Sequence, residues 1–125
     1  MEQGYLLDTN IAVYLLHGKL SPKAAAFLKK TLRRRANLSI VTKIELLSWG
    51  EESELYSDFI ENSDIYPLSD NVVSKSIDVR KTYRTNLPDA IIAATAITHD
   101  LVLVTRNQSD FKRIKELKWV NPFES

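Results

Sequence analysis

The chain has 125 residues, two histidines and no cysteine, and its formal net charge is +1. This length suits one domain that builds its own hydrophobic core. The absence of cysteine excludes disulfides, zinc–thiolate sites and cysteine nucleophiles, and two histidines do not suffice for an imidazole-rich metal site. The sequence has neither the pattern of a signal peptide nor an apolar run long enough to cross a membrane, so we expect a cytoplasmic protein.

The small net charge conceals a segregation of charge along the chain. Every charged side chain between residues 17 and 43 is basic, and every one between residues 45 and 70 is acidic. Two solvated helix faces of opposite sign would explain the pattern, and so would a basic surface for a polyanion beside an acidic one. Such a basic surface would make salt-sensitive phosphate contacts that do not depend on sequence.

In the first half of the chain, short apolar runs alternate with helical patterns. A run without internal alternation is typical of a buried parallel strand, whereas Ser followed by Pro marks the beginning of a helix. The predicted elements here are a strand at 5–7, a helix at 11–16 that ends at Gly18, a helix from Ser21 and Pro22, a strand at 37–41, a helix from Thr42 that carries Glu45, and an amphipathic helix through 55–60.

The second half continues the alternation. Its predicted elements are a strand at 65–68, a helix from Ser69 with Val72, Val73, Ile77 and Val79 facing inward, an apolar helix at 87–97, a valine-rich strand at 101–104, a small helix near Phe111 and an extended segment at 118–120. Strands that alternate with helices favour a parallel sheet with helices packed against it. We therefore predict one α/β domain, residues 1–125, with a central parallel sheet flanked by helices.

Four acids stand where a fold of this type gathers its ligands, at the carboxyl ends of the strands. Asp8 ends the first strand, Glu45 lies one turn into the helix after the second, Asp89 opens the apolar helix, and Asp110 follows the 101–104 strand. Carboxylates brought together would repel one another unless a cation neutralised them, and hard oxygen ligands suit Mg²⁺ or Mn²⁺. Such an ion can polarise a phosphate and activate water against a phosphodiester.

Each acid also has a purely structural interpretation. Asp8 and Asp110 are placed to cap helices, Asp89 favours the dipole of the helix that it opens, and Glu45 forms a capping-box pattern with Thr42. Singly, each acid fits such a role well. Together, at equivalent places in the fold, the four favour a site.

Four segments resemble the motifs of PIN domains, in their order and spacing. They are residues 6–11 (LLDTNI), 39–47 (SIVTKIELL), 87–96 (LPDAIIAATA) and 103–111 (LVTRNQSDF). One motif alone would be a weak signal, but the four in sequence cover essentially the whole chain and resemble the VapC-like toxins of that family. Thr85 and Asn86 stand where some relatives carry glycine, which we interpret as loop variation.

The resemblance implies a set of site residues. It assigns Asp8, Glu45 and Asp89 to metal binding, with Asp110 as the fourth acid. Members of the family vary in whether the fourth acid stands at the position of Asp110 or at that of Asn107, which here could offer a carbonyl oxygen. Secondary residues that would orient the carboxylates or a bound water are Thr9, Asn10, Thr105 and Asn107.

The resemblance also implies an activity and partners. The activity is metal-dependent endonucleolytic cleavage of RNA by a growth-inhibiting toxin, with Mg²⁺ or Mn²⁺ as cofactor. The partners are a VapB-like antitoxin whose tail covers the acidic site and a second copy of the chain in a homodimer. Lys43, Arg84 and Arg106 are predicted to contact RNA phosphate, although each would serve equally as a solvated cation. Trp49 and Trp119 are predicted to be packing residues.

Two other interpretations compete with this one, and the residues disfavour the first of them. A phosphoacceptor receiver domain has a similar size and acids at strand ends, but it requires an acidic pair after the first strand and a lysine after the last. This chain has Asp8-Thr9 and Thr105-Arg106 at those places. A catalytically weak PIN-like module that binds RNA or protein is the second interpretation, and metal binding without cleavage would favour it.

Overall fold

A computed structural model of the chain describes residues 2–32, 35–49 and 53–124. Its elements, in chain order, are β1 (Gly4–Leu7), α1 (Thr9–Leu16), α2 (Pro22–Thr31), β2 (Asn37–Ser39), α3 (Ile40–Ser48), α4 (Ser53–Glu61), β3 (Asp64–Tyr66), α5 (Asp70–Tyr83), α6 (Leu87–Thr98), β4 (Leu101–Val104), α7 (Gln108–Phe111) and β5 (Trp119–Val120). Part of the predicted charge segregation rests on Arg33, Arg34, Glu51 and Glu52, which lie outside the described residues. No helix in the described ranges is long and apolar enough to cross a membrane.

The strands form one five-stranded sheet in the order β3-β2-β1-β4-β5, and its strand pairs are parallel. The predicted central parallel sheet flanked by helices is therefore confirmed. This order differs from the 2-1-3-4-5 order of receiver-like folds. Because β1 pairs with β2 on one side and with β4 on the other, a crevice at the carboxyl ends of the strands is expected beside β1.

Both faces of the sheet are covered by apolar side chains. In β1, Leu6 belongs to one buried cluster with Ala90 and Ala93 of α6, whereas Leu7 belongs to a second cluster with Ile11 of α1. A strand covered on both sides has no polar face, which explains the unbroken apolar runs of β1 and β4. The two layers hold the central strands rigidly, so the residues that follow these strands start from fixed positions.

The boundary between β2 and α3 differs from the predicted one. The strand was expected to extend to Val41 and the helix to begin at Thr42, but the strand ends at Ser39 and the helix begins at Ile40. The Ser39 hydroxyl accepts a hydrogen bond from the Val41 N–H at 2.9 Å and so caps the helix. This local cap outweighs the strand preference of the β-branched residues that follow.

The predicted burial of Val73 and Ile77 on α5 is wrong. Val72 and Val79 of α5 are buried as expected, but Val73 and Ile77 are 38% and 51% exposed. The buried face of α5 instead includes Ser76, whose hydroxyl donates to the Val72 carbonyl at 2.7 Å and so needs no partner outside the helix. Trp49 is 44% exposed, but its ring lies edge-on to the buried Tyr56 with ring centres 6.4 Å apart, and Trp119 packs against the core as expected.

Candidate active site

The ends of the strands and the first turn of α6 place the four predicted acids at the carboxyl edge of the sheet. Asp8 directly follows β1, and its N–H donates to the carbonyl of Val104 at 2.9 Å, which extends the pairing with β4 by one residue. Glu45 lies on α3 after β2, and Asp110 lies on α7 after β4. Asp89 lies in the first turn of α6, whose far end leads into β4. Because the far end of α6 lies at the amino end of β4, the first turn of α6 lies over the carboxyl edge of the sheet.

Asp8 is the buried member of the group, with 7% of its surface exposed. Its Oδ1 accepts from the backbone N–H of Thr9 and its Oδ2 from the hydroxyl of Thr105, both at 2.8 Å. The pKa of Asp8 is raised to about 6: burial is the largest cause, repulsion from Asp89 and Glu45 adds to it, and the two hydrogen bonds offset only part of the rise. Asp8 is thus both the N-cap of α1 and a carboxylate close to two others.

Glu45 does not form the predicted capping box with Thr42. Its Oε1 accepts from the hydroxyl of Thr9 at 2.6 Å, and the hydroxyls of Thr9 and Thr42 lie 2.9 Å apart. The capping pattern fails because Ser39 already caps α3, so Thr42 lies within the helix and is fully buried. Glu45 is therefore held by a side chain from α1, on the edge where Asp8 lies.

Asp89 is held by the residue that caps its helix. The side-chain Oδ1 of Asn86 accepts from the Asp89 N–H at 2.9 Å, and the side-chain amide of Asn86 donates to Asp89 Oδ2 at 3.1 Å. Burial raises the pKa of Asp89, the Asn86 bond lowers it, and repulsion from Asp110 and from Glu45 raises it. Asp8 is therefore within electrostatic reach of Asp89 and Glu45, and Asp89 is within reach of Glu45 and Asp110, which links the four acids into one cluster of interacting charges.

Asp110 is the exposed member, and Asn107 joins it to the rest of the site. The Asn107 amide donates to Asp110 Oδ2, and the Asn107 N–H donates to the hydroxyl of Thr105 at 3.0 Å. Thr105 in turn donates to Asp8. A chain of hydrogen bonds therefore runs from the most exposed acid to the most buried one.

The neighbours of these acids are neutral. In the parts of the chain that the structure describes, the ion pairs join other residues, and hydroxyl and amide groups hold the four carboxylates. A cluster of carboxylates with neutral partners is an all-oxygen donor set that suits a hard divalent cation. As they stand, however, no three acidic or histidine side chains of the described residues form a group that could hold an ion.

The other predicted site residues fall into two groups. Thr9, Thr105 and Asn107 contact the acids directly, whereas Asn10 is exposed on α1. The predicted phosphate contacts are Lys43, Arg84 and Arg106. Lys43 is half-buried on α3, and Arg84 follows α5 in the left-handed conformation with φ 54°. The guanidinium of Arg106 lies 4.2 Å from the ring centre of Phe123.

Sequence reasoning missed Asn86, which touches Asp89, and Thr42, which reaches Glu45 only through Thr9. Asn86 carried a usable signal, because an Asn two residues before Pro88 and three before Asp89 is a common N-cap pattern. The contact of Thr42 with Thr9 spans 33 positions and crosses from one helix to another. No local pattern encodes such a contact, so only the fold reveals it.

Known proteins resemble this chain in both sequence and fold. The chain is 27% identical to Ribonuclease VapC1 of Haemophilus influenzae strain R2866, over 92% of this chain and 95% of that protein. It is 29% identical to Ribonuclease VapC of Rickettsia bellii, over 92% and 93%. A toxin–antitoxin complex from Klebsiella pneumoniae contains a chain that superposes with a TM-score of 0.77 at 29% identity, over 95% of this chain and 98% of that one.

A second solved structure, VapBC-1 from nontypeable Haemophilus influenzae, superposes with a TM-score of 0.80 over 94% of this chain and 97% of that one. Its 23% identity supports the likeness of fold alone. The family model described as PIN domain matches residues 5–117, a range that includes all four motifs and all four acids. The resemblance predicted from the motifs is thereby confirmed, and the chain belongs to the PIN domain family.

Proposed function

We propose that this PIN domain is a metal-dependent endoribonuclease that acts in the cytoplasm as the toxin of a toxin–antitoxin pair. The observation that carries the proposal is the cluster of four carboxylates at the carboxyl edge of the sheet, held by neutral donors. The relatives named as VapC ribonucleases support the reaction class, because they align over more than nine-tenths of the chain.

Asp8, Glu45, Asp89 and Asp110 are the residues that would hold Mg²⁺ or Mn²⁺. When bound, such a cation supplies the positive charge that the cluster lacks and the Lewis acidity that activates water towards a phosphodiester. Thr105 and the Thr9 N–H fix both oxygens of Asp8, and the Thr9 hydroxyl fixes one oxygen of Glu45. Without a cation the four carboxylates would repel an RNA phosphate, which is why the proposal requires a metal.

Three cations are proposed to contact the RNA backbone. Arg106 directly follows Thr105, and the rings of Phe123 and Tyr14 lie 4.2 and 5.6 Å from its guanidinium. Such contacts restrict the side chain while leaving its N–H groups able to bind phosphate. Lys43 lies two residues from Glu45, and Arg84 precedes the loop that carries Asn86. Each would add a contact that strengthens binding regardless of base sequence.

The proposed partners are a VapB-like antitoxin and a second copy of the chain. Solved relatives include toxin–antitoxin complexes, and two groups of exposed apolar side chains offer surfaces for protein contacts. One group is Ile44, Leu47, Trp49 and Leu55, on α3, the residue that follows α3, and α4. The other is Leu68, Val73, Ile77 and Leu87, on α5, α6 and the segment before α5.

The test is RNA cleavage by the purified chain, freed of any copurified antitoxin, in Mg²⁺, Mn²⁺ or EDTA. We expect cleavage with either metal and none in EDTA. Asp8→Asn and Asp89→Asn should each lower the rate by at least about 100-fold, since loss of even an outer partner of a metal site costs 10–100-fold. Asp64→Asn, at the opposite edge of the sheet, is the matched control and should cleave as the wild type does.

A catalytically weak module that binds RNA or protein is the second candidate. It is favoured by one observation, that no three acids of the described chain already form a group that could hold an ion. RNA binding without cleavage in any metal would support this module and remove the nuclease. Equal cleavage by the wild type and both site variants would indicate a contaminating nuclease and leave the site without support.

A further inference from the structure

The hydroxyl of Thr42 is buried between α1 and α3, next to the acidic cluster but not part of it. Thr42 has no exposed surface, and its Oγ1 lies 2.9 Å from the Oγ1 of Thr9. Thr9 Oγ1 lies 2.6 Å from Oε1 of Glu45. The three side chains thus form a row of hydrogen bonds that ends on one of the proposed ligands.

The direction of these bonds follows from counting protons. The Glu45 carboxylate can only accept, so the single hydroxyl proton of Thr9 points to Glu45. The short contact between the two threonines then requires the Thr42 hydroxyl to donate to the oxygen of Thr9. A hydroxyl that accepts one bond while it donates another is polarised, which strengthens the bond to Glu45.

Two other buried hydroxyls within helices are satisfied by the backbone of their own helix. Thr95 of α6, also without exposed surface, donates to the Ile91 carbonyl at 2.7 Å, and Ser76 of α5 donates to the Val72 carbonyl at 2.7 Å. This local bond is the usual solution for a hydroxyl inside a helix. Thr42 differs because its hydroxyl meets a side chain of another helix.

We infer that Thr42 is a positioning residue that fixes the orientation of Glu45 through Thr9. The inference rests on the proposed function, in which Glu45 is a metal ligand. Thr9 is the junction, because its N–H holds Oδ1 of Asp8 while its hydroxyl holds Glu45. By fixing the hydroxyl of Thr9, Thr42 keeps these two carboxylates in one arrangement.

The kinetic test compares Thr42→Val with Thr42→Ser. Valine keeps the shape of threonine but removes the hydroxyl, so we expect kcat for RNA cleavage to fall about tenfold, as for other outer partners of metal sites. KM for RNA should stay unchanged, because Thr42 is fully buried and cannot touch substrate. Serine restores the hydroxyl and should restore kcat. Thr95→Val removes a hydroxyl from an equally buried helical position and should leave kcat unchanged.

A second readout does not depend on activity. The side-chain carboxylate carbon of Glu45 is followed by NMR in the metal-free protein at one fixed pH, and Mn²⁺ affinity is measured by calorimetry. Thr42→Val should shift the Glu45 resonance and weaken Mn²⁺ binding about tenfold. Thr42→Ser should return both to the wild-type values, and Thr95→Val should change neither.

The two readouts separate the failure of this inference from the failure of the proposed function. Wild-type protein that cleaves no RNA would remove the proposed function, while the Glu45 resonance would still decide whether Thr42 orients that side chain. A folded Thr42→Val variant with unchanged kcat, Glu45 resonance and Mn²⁺ affinity would overturn the inference. So would a stable Thr42→Ser variant that restores none of them. Thr42→Ala replaces the valine variant if the latter does not fold.

Discussion

The acids at the two edges of the sheet differ in their partners. At the amino ends of the strands, Asp64 pairs with Arg35 at 2.7 Å and Asp100 pairs with Lys118 at 2.8 Å. These acids stand at or just before β3 and β4, and their partners just before β2 and β5. At the carboxyl ends, four acids gather with hydroxyl and amide partners only, among the residues that the structure describes.

This difference separates exposed acids that form ion pairs from acids that repel one another and that we propose as metal ligands. The amino-edge pairs are exposed, with 45% to 81% of each side chain accessible, so their charges are solvated whether or not they are paired. At the carboxyl edge, burial and mutual repulsion raise the pKa values of Asp8 and Asp89. A protein keeps such unfavourable charges together when a bound ion neutralises them, and perturbed pKa values are accordingly common at functional sites.

The largest expected effect tests whether the exposed acid belongs to the carboxyl-edge group. Asp110→Asn should lower metal-dependent RNA cleavage by about 100-fold if Asp110 is a ligand, and Asn107→Ala, which removes only its amide partner, should lower it by about tenfold. Rates are measured on a labelled RNA in saturating Mn²⁺.

Asp100→Asn at the amino edge is the control for that experiment, because it also removes one negative charge but should leave the rate unchanged. If Asn107→Ala costs more than Asp110→Asn, the fourth ligand is the carbonyl oxygen of Asn107. Equal rates for all three variants and the wild type would exclude both residues from the site.

The next prediction concerns how much the buried charge of Asp8 lowers the free energy of unfolding when no cation is bound. Its pKa is 3.8 in the unfolded chain and about 6 in the folded protein, so between these values the folded state binds the proton more tightly. The free energy of unfolding contributed by Asp8 therefore falls as the pH rises from 4 to 6, and the loss is complete above about pH 6. At 1.36 kcal/mol for each pKa unit, the loss is at most about 3 kcal/mol.

Urea unfolding in EDTA at pH 4, 5.5 and 7.5 measures this cost. The stability of Asp8→Asn, relative to the wild type, should increase with pH by on the order of 1–3 kcal/mol. Saturating Mn²⁺ should reverse the trend by stabilising the wild type alone. If the difference in stability between the two proteins does not change with pH, the pKa of Asp8 is the same in the folded and the unfolded state, and burial of its charge costs nothing in the metal-free protein.

Most of the fold, and the placement of the four acids at the carboxyl edge, could be predicted from the sequence, and the errors lie where local patterns do not decide the structure. The parallel strands and the Asp8 and Asp89 positions follow from local patterns, namely apolar runs and helix caps. Local patterns failed where two signals competed, as at Ser39, which caps α3 within a run that favoured a strand. They also failed where a contact joins distant segments, as between Thr9 and Thr42. The exposure of Val73 and Ile77 depends on which face of α5 meets α6, which helical spacing alone does not fix.

A smaller effect tests whether the carboxyl edge binds the RNA backbone through Arg106. Arg106→Ala should weaken RNA binding by a few-fold, and the slope of log affinity against log salt should become shallower by about 0.7, the value for one contact to a single-stranded phosphate. Binding is measured by fluorescence anisotropy in Ca²⁺ or EDTA, to prevent cleavage. Arg106→Lys keeps the charge and should keep the slope. An unchanged slope in Arg106→Ala would leave Arg106 with its ring contacts to Tyr14 and Phe123 as its only role.

The smallest effect is expected at the amino edge, where the charges are paired but exposed. Arg35→Ala and Asp64→Asn should each destabilise the protein by less than about 1 kcal/mol, because solvent screens an exposed pair. Arg35 also donates to the Ser63 carbonyl at 2.8 Å, so its loss should cost more than that of Asp64. In a double-mutant cycle by urea unfolding, the coupling energy should fall as salt rises. A coupling of several kcal/mol that persists in high salt would show that the amino edge, too, depends on its charges, and the contrast between the two edges would no longer hold.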